Sequence, residues 1–173
     1  MQDTLPIHFA PLQGYTEAIY RNAHDAFFGG VDTYYTPFVR LEKGNFRRRD
    51  VRGIEPENNG VPHLIPQLIA SSAEKAEVIL SLFIEKGYQE VDINLGCPFP
   101  LLAKRHNGSG ILPYPEEVKA LLSIVTRYPQ ISFSVKMRLG WEQPDECLAL
   151  APILNDLPLR QITCLLYRSP SPR

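Results

Sequence analysis

The chain has 173 residues, 44% hydrophobic and 21% charged, which suits one globular domain with a real core and excludes a low-complexity or disordered chain. No apolar run approaches the roughly eighteen residues needed to span a bilayer, and residues 1–6 lack the basic-then-apolar order of a secretory leader. With a formal net charge of −1 there is no global field to attract a polyanion, so any nucleic acid must be held by local patches.

Residues 7–10 read as a short strand stopped by Pro11, after which Thr16 is placed to cap a helix over 17–28. A second strand is expected over 33–36, ending at Pro37, and a third over 63–69. Ser71 and Ser72 offer an N-cap for a helix over 73–86, with Ala76, Ile79, Leu80 and Phe83 on one face and Gly87 as its stop. A fourth strand covers 90–94. Tyr114-Pro115-Glu116-Glu117 opens the next helix, which turns Val118, Leu121, Leu122 and Val125 inward. Residues 131–137 form a fifth strand, a helix with Pro144 near its start carries Cys147, Leu148, Leu150 and Ala151, and a sixth strand starts at 161.

Strands alternating with helices at this spacing call for parallel pairing through crossover helices. Strand ends rich in polar residues, and no G-x-G-x-x-G after the first strand, favour a (β/α)8 TIM barrel over a doubly wound sheet. Such a barrel takes roughly 250 residues, so the expectation is an α/β fold made of an incomplete barrel, about its first six β/α units, in residues 1–163. Two unpaired parallel edges would then be exposed, a site for aggregation. Residues 164–173, Cys-Leu-Leu-Tyr-Arg-Ser-Pro-Ser-Pro-Arg, break the pattern because Ser-Pro-Ser-Pro continues neither strand nor helix. The decapeptide resembles the translation of a sequencing-library adapter, differing at Arg168. It is expected to be a non-native tail, the alternative being a natural proline-rich end.

Cys97, Cys147 and Cys164 fit no zinc or C-x-x-C spacing, and their odd number argues against a disulfide framework. A reducing, cytoplasmic setting is the simplest reading. His8, His24, His63 and His106 are scattered, so no metal is expected.

Asp92-Ile93-Asn94-Leu95-Gly96-Cys97-Pro98 is a buried strand that ends in an amide and a thiol. Free cysteine is commonly a small buried apolar residue; between Gly96 and Pro98 at a strand end, Cys97 reads instead as a positioned thiol, whereas Cys147 keeps the bland reading. Alternation sends Ile93 to one side and Asp92 and Asn94 to the other. Asn94 is a strand-end cap or, with two donors and an acceptor, a match for a pyrimidine edge. Lys136 and Arg138 end the apolar Phe133, Val135 strand together. Lys136 could face an anionic ring or a carbonyl, and Arg138 a phosphate or Glu142. Gln67, inside its strand, needs partners. Arg47, Arg48, Arg49 and Arg52 near Lys43 read as a solvated surface, whereas Lys104-Arg105-His106, in the loop after the thiol, could hold a polyanion near the chemistry.

Five segments in order resemble the tRNA-dihydrouridine synthases: Ala10-Pro11-Leu12-Gln13-Gly14-Tyr15-Thr16, Pro66-Gln67-Leu68, the Asp92-to-Pro98 run, Gly108-Ser109-Gly110-Ile111-Leu112, and Val135-Lys136-Met137-Arg138-Leu139-Gly140. Leu12 stands where Met is more usual. The resemblance implies an FMN-dependent, NADPH-consuming reduction of uridine in tRNA to 5,6-dihydrouridine, with Cys97 as general acid. By the same resemblance Pro11, Leu12, Gln13, Gln67 and Lys136 contact FMN and Asn94 binds substrate; Arg138, Lys104 and Arg105 are expected to join it there. The family's last two strands, which hold the FMN phosphate, and its C-terminal helical tRNA-binding domain are missing. The 173-residue product is therefore expected neither to retain FMN nor to act on tRNA, and the full-length protein to be a monomer. Rival readings are another FMN-dependent barrel oxidoreductase of the dihydroorotate dehydrogenase type, or a non-catalytic RNA-binding fragment.

Overall fold

A computed structural model describes residues 5–165. Its strands are β1 (His8–Phe9), β2 (Thr33–Tyr35), β3 (Leu41–Glu42), β4 (Asn45–Phe46), β5 (Leu64–Ile65), β6 (Gln67–Leu68), β7 (Glu90–Leu95), β8 (Ser132–Arg138) and β9 (Gln161–Leu165). The helices are α1 (Ala18–Phe27), α2 (Arg48–Ile54), α3 (Ala73–Glu85), α4 (Pro100–Ala103), α5 (Pro115–Leu122), α6 (Ile124–Arg127) and α7 (Glu146–Asn155). The result is a mixed α/β fold with parallel sheets. One sheet has the order β1-β2-β5, another β6-β7-β8-β9, and β3 and β4 form a separate antiparallel hairpin.

The two parallel sheets share one stretch of chain. The expected third strand is broken at buried Pro66, which has no N–H to give a ladder. β5 pairs on its near side with β2 and β6 on its far side with β7, while Pro66 O accepts the Asp92 N–H at 3.0 Å. The strands therefore follow one another in chain order across the break, each with its carboxyl end on the same side.

The core lies on one face of β6 to β9. Val91, Ile93 and Leu95 of β7 and Phe133, Val135 and Met137 of β8 meet Ala76, Ile79, Leu80 and Phe83 of α3, Val118, Leu121 and Leu122 of α5, and Leu150 and Leu154 of α7. Period-2 alternation thus commits the other face to Asp92, Asn94, Ser134, Lys136 and Arg138. Ser72 caps α3 by accepting the Lys75 N–H, and Gly87 follows its end at φ +84.

Several local expectations are corrected. Thr16 does not cap α1; its hydroxyl accepts the Leu12 N–H at 2.8 Å and donates to Leu12 O, closing the loop after β1, and Glu17 takes the cap position without a side-chain bond. Pro144 precedes α7. Cys147 sits in that helix's first turn, half-buried, with its thiol donating to Pro144 O. The β3–β4 hairpin had no counterpart in the sequence reading. Of the expected tail, Cys164 and Leu165 continue β9 opposite Met137 and Arg138, because extended residues beside an open strand can complete its ladder; residues 166–173 lie outside the described part.

α1 packs differently from the other long helices. Its buried residue is Arg21, whose guanidinium donates to Thr16 O, Gly53 O and Asn59 Oδ1, while Ile19 and Phe27 point outward. Burial pushes the Arg21 guanidinium down to about 10.

Candidate active site

Strand register brings three polar residues side by side on the face away from the core: Gln67 lies opposite Asp92, and Asp92 opposite Ser134. All are buried. Ser134 Oγ donates to Asp92 Oδ1 at 2.6 Å, and Gln67 Nε2 donates to Asp92 Oδ2 at 2.6 Å. Gln67 Oε1 accepts from Asn94 Nδ2 at 2.8 Å. Asn94 Oδ1 then accepts the backbone N–H groups of Gly96 at 3.0 Å and Cys97 at 2.9 Å. A carboxylate only accepts, so it orients the Gln67 amide. That amide orients Asn94, which leaves an oxygen facing the turn that carries the thiol.

Burial pushes the Asp92 carboxyl up; the donors Ser134 and Gln67, and the Lys136 charge, hold it back. Burial likewise lowers Lys136, with Asp92 opposing and Arg138 reinforcing that fall.

The Cys97 turn is clamped from behind. Its carbonyl accepts the Ser109 N–H at 3.0 Å and the Ser109 hydroxyl at 2.9 Å. Gly108 has φ +62, and a Cβ there would stand 2.6 Å from Cys97 O. A Cβ on Gly110 would stand 2.1 Å from Ala103 O. Gly108 is therefore a packing requirement of the thiol's own backbone, and Gly110 one of the α4 backbone that follows it. From β8, Arg138 Nε donates to Gly96 O at 2.7 Å, which fixes Arg138 on the turn rather than on Glu142.

The thiol itself is half-buried. Burial pushes it above the ordinary value, and the Phe99 N–H with the Arg138, Arg40 and Lys136 charges pulls it partly back. Cys97 is therefore a protonated thiol at neutral pH, suited to giving a proton and poorly suited to attack as a thiolate.

The structure thus joins Cys97, Asn94, Gln67, Lys136 and Arg138. Pro11, Leu12 and Gln13 lie apart, in the loop at the carboxyl end of β1, on the same side of the parallel sheet. The Gln13 amide nitrogen and oxygen are both covered, with no partner among the described residues. An orphaned amide in such a loop, Lys136, and the open space around Gly14 (φ +87) fit a flat heteroaromatic group with ring carbonyls and nitrogens. Lys104 and Arg105 stand exposed just beyond α4, outside the relay.

Sequence reasoning missed Ser134 and Arg40. Ser134 was legible as the residue two before Lys136 on the same strand face; Arg40 carries no local signal, since it is the parallel bridge of Val39 to Leu68 of β6, the neighbour of β7, that places it near the thiol.

Parallel strands that gather a thiol, two amides and two cations at their carboxyl ends define an α/β protein with its candidate chemistry in the loops after the strands. The family model described as dihydrouridine synthase (Dus) matches residues 8–163, and the chain belongs to this family. It is 28% identical over 174 residues to the tRNA-dihydrouridine(16) synthase of Haemophilus ducreyi, covering 91% of this chain and 50% of that protein. It is 27% identical over 161 residues to probable tRNA-dihydrouridine synthase 1 of Synechocystis, covering 89% and 43%. Over 92 residues it is 33% identical to tRNA-dihydrouridine synthase B of Vibrio cholerae, covering 53% and 26%. The chain spans half or less of the length of these relatives.

Replacing Asp92 by Ala removes both oxygens that orient the relay, leaving the Gln67 amide and the Ser134 hydroxyl without their partner, and is expected to destabilise the fold by about 1–3 kcal/mol, measured by urea denaturation. Gly108→Ala is expected to be destabilising by about 3 kcal/mol, through contact and left-handed strain together. Gly60→Ala, with nothing within 4 Å of its Cβ, should change stability little.

Proposed function

We propose that this chain carries the uracil-reducing site of a tRNA-dihydrouridine synthase, on about six β/α units of a (β/α)8 barrel. The observation that carries this reading is the Asp92–Gln67–Asn94 relay, which ends on the backbone of a protonated thiol. In the complete protein, further strands close the barrel between the edges β1 and β9, and a helical domain grips tRNA.

Pro11, Leu12, Gln13, Gln67 and Lys136 are the residues that would hold FMN, with the Gln13 amide meeting a ring edge. When bound, FMN reduced by NADPH would supply the hydride that the uracil accepts at C6. Cys97 gives its S–H proton to C5 from the opposite face, so the C5=C6 bond becomes a single bond and the sulphur is left as thiolate, reprotonated from water. Arg138, Arg40 and Lys136 stabilise that thiolate. Asn94 has spent its oxygen on two backbone N–H groups and one N–H on Gln67, so it offers its remaining N–H to a uracil carbonyl. Lys104 and Arg105 attract the tRNA backbone beside the turn. The target uridine leaves the stack to reach the sulphur.

In a chain extended to the length of its relatives, Cys97→Ala is expected to retain flavin and to form dihydrouridine in tRNA about 10²–10⁴-fold more slowly. Unchanged turnover refutes the role. The thiol works protonated and burial raises its folded value, so activity persists as pH rises past about 8.5 and is lost only as pH passes the raised value. Arg138→Gln removes a charge that favours thiolate and is expected to move that alkaline limb further up.

A further inference from the structure

Between the β3–β4 hairpin and α4 lies an open cleft of about 520 Å³, distinct from the polar relay and bordering the Cys97 turn through Phe99 and Asn107. The hairpin turns on Lys43 and Gly44, at φ +52 and +80, the pattern of a two-residue type I′ turn. That tight turn holds the hairpin out as one wall. Arg40, Lys43, Lys75 and Arg105 line the cleft against a single carboxylate, Glu42, in a chain whose net charge is −1. Arg40 meets Glu42 only at 3.7 Å, and its Nε is covered without a partner among the described residues. Among the described residues Lys75 Nζ donates to the Ser71 hydroxyl, at 2.8 Å, and to no carboxylate. Phe99 is 51% exposed at the cleft edge, two residues from the thiol. Concentrated positive charge beside an exposed aromatic ring is the combination that holds single-stranded nucleic acid, with phosphates on the cations and a base on the ring.

We propose that this cleft binds the single-stranded RNA segment next to the reduced uridine, with Arg40, Lys43, Lys75 and Arg105 on its phosphates and Phe99 stacked on a flanking base. This rests on the uracil-reducing reading for its choice of RNA. The phosphates of NADPH are the competing source of the same chemistry.

The test is the salt dependence of binding of a short fluorescent oligouridylate to the full 173-residue chain and its variants. Arg40→Gln, Lys43→Gln and Lys75→Gln are each expected to reduce the log–log salt slope by about 0.7, whereas Lys119→Gln, on α5, leaves it unchanged. Phe99→Ala is expected to weaken binding about tenfold or more at constant slope. Lys43 and Lys75 are exposed, so their replacement leaves folding intact. An unchanged slope in those two variants, or no binding by the folded wild-type chain, overturns the proposal. Loss of NADPH binding in the same variants without loss of RNA binding also overturns it, in favour of a dinucleotide site. Flavin retention by the extended chain is read separately: flavin absent with the slope change present sinks the oxidoreductase reading and leaves the cleft, and the reverse result does the opposite.

Discussion

The buried carboxylate of Asp92 starts the amide relay that ends on the backbone N–H of Cys97. Amide side chains can point either way, and a relay of two amides between neutral ends would have two arrangements of nearly equal energy. An acceptor-only carboxylate at one end and donor-only backbone N–H groups at the other remove that degeneracy. Burying a charge is expensive unless it is hydrogen-bonded, and here both oxygens have short donors, with Lys136 nearby. The same burial that raises the acid also makes each of its bonds stronger.

Much of this was legible in the sequence because period-2 alternation is unforgiving. Once Ile93 and Val135 belong to the core, Asp92, Asn94 and Lys136 must share the other face, and they do. The helix faces of α3 and α5, and the stop at Gly87, followed from spacing and cap chemistry in the same way. The roles of Thr16 and Arg138 were not legible. A threonine before a helix can cap it or close the preceding loop, and the choice depends on where Leu12 lies. Arg138 had Glu142 as a neighbour in sequence, but the pairing of β7 with β8 offers it a nearer carbonyl on Gly96. The hairpin had a readable signal in Lys43-Gly44 between Leu41 and Phe46, obscured by the run of arginines that follows.

The polar face and the core face also differ in what they tolerate. Core positions exchange one apolar side chain for another at modest cost when volume is kept. Around Cys97 there is no such freedom, because Gly108 and Gly110 meet main-chain atoms, which cannot rotate away. The turn is accordingly held by its carbonyl, its N–H and the carbonyl of Gly96, so the sulphur's position is inherited from three separate elements.

Pro66 gives the sheet a corner without an orphan. At the point where the ladder passes from one neighbouring strand to the next, proline brings no N–H in need of an acceptor, and a buried donor left unpaired costs about 1–3 kcal/mol. The imino acid has nothing to leave unsatisfied, while its own oxygen still serves β7. The change of ladder is thereby confined to one residue, directly before the glutamine on which the relay turns. The residue at which the ladder changes partner and the residue that anchors the relay are therefore neighbours in the chain.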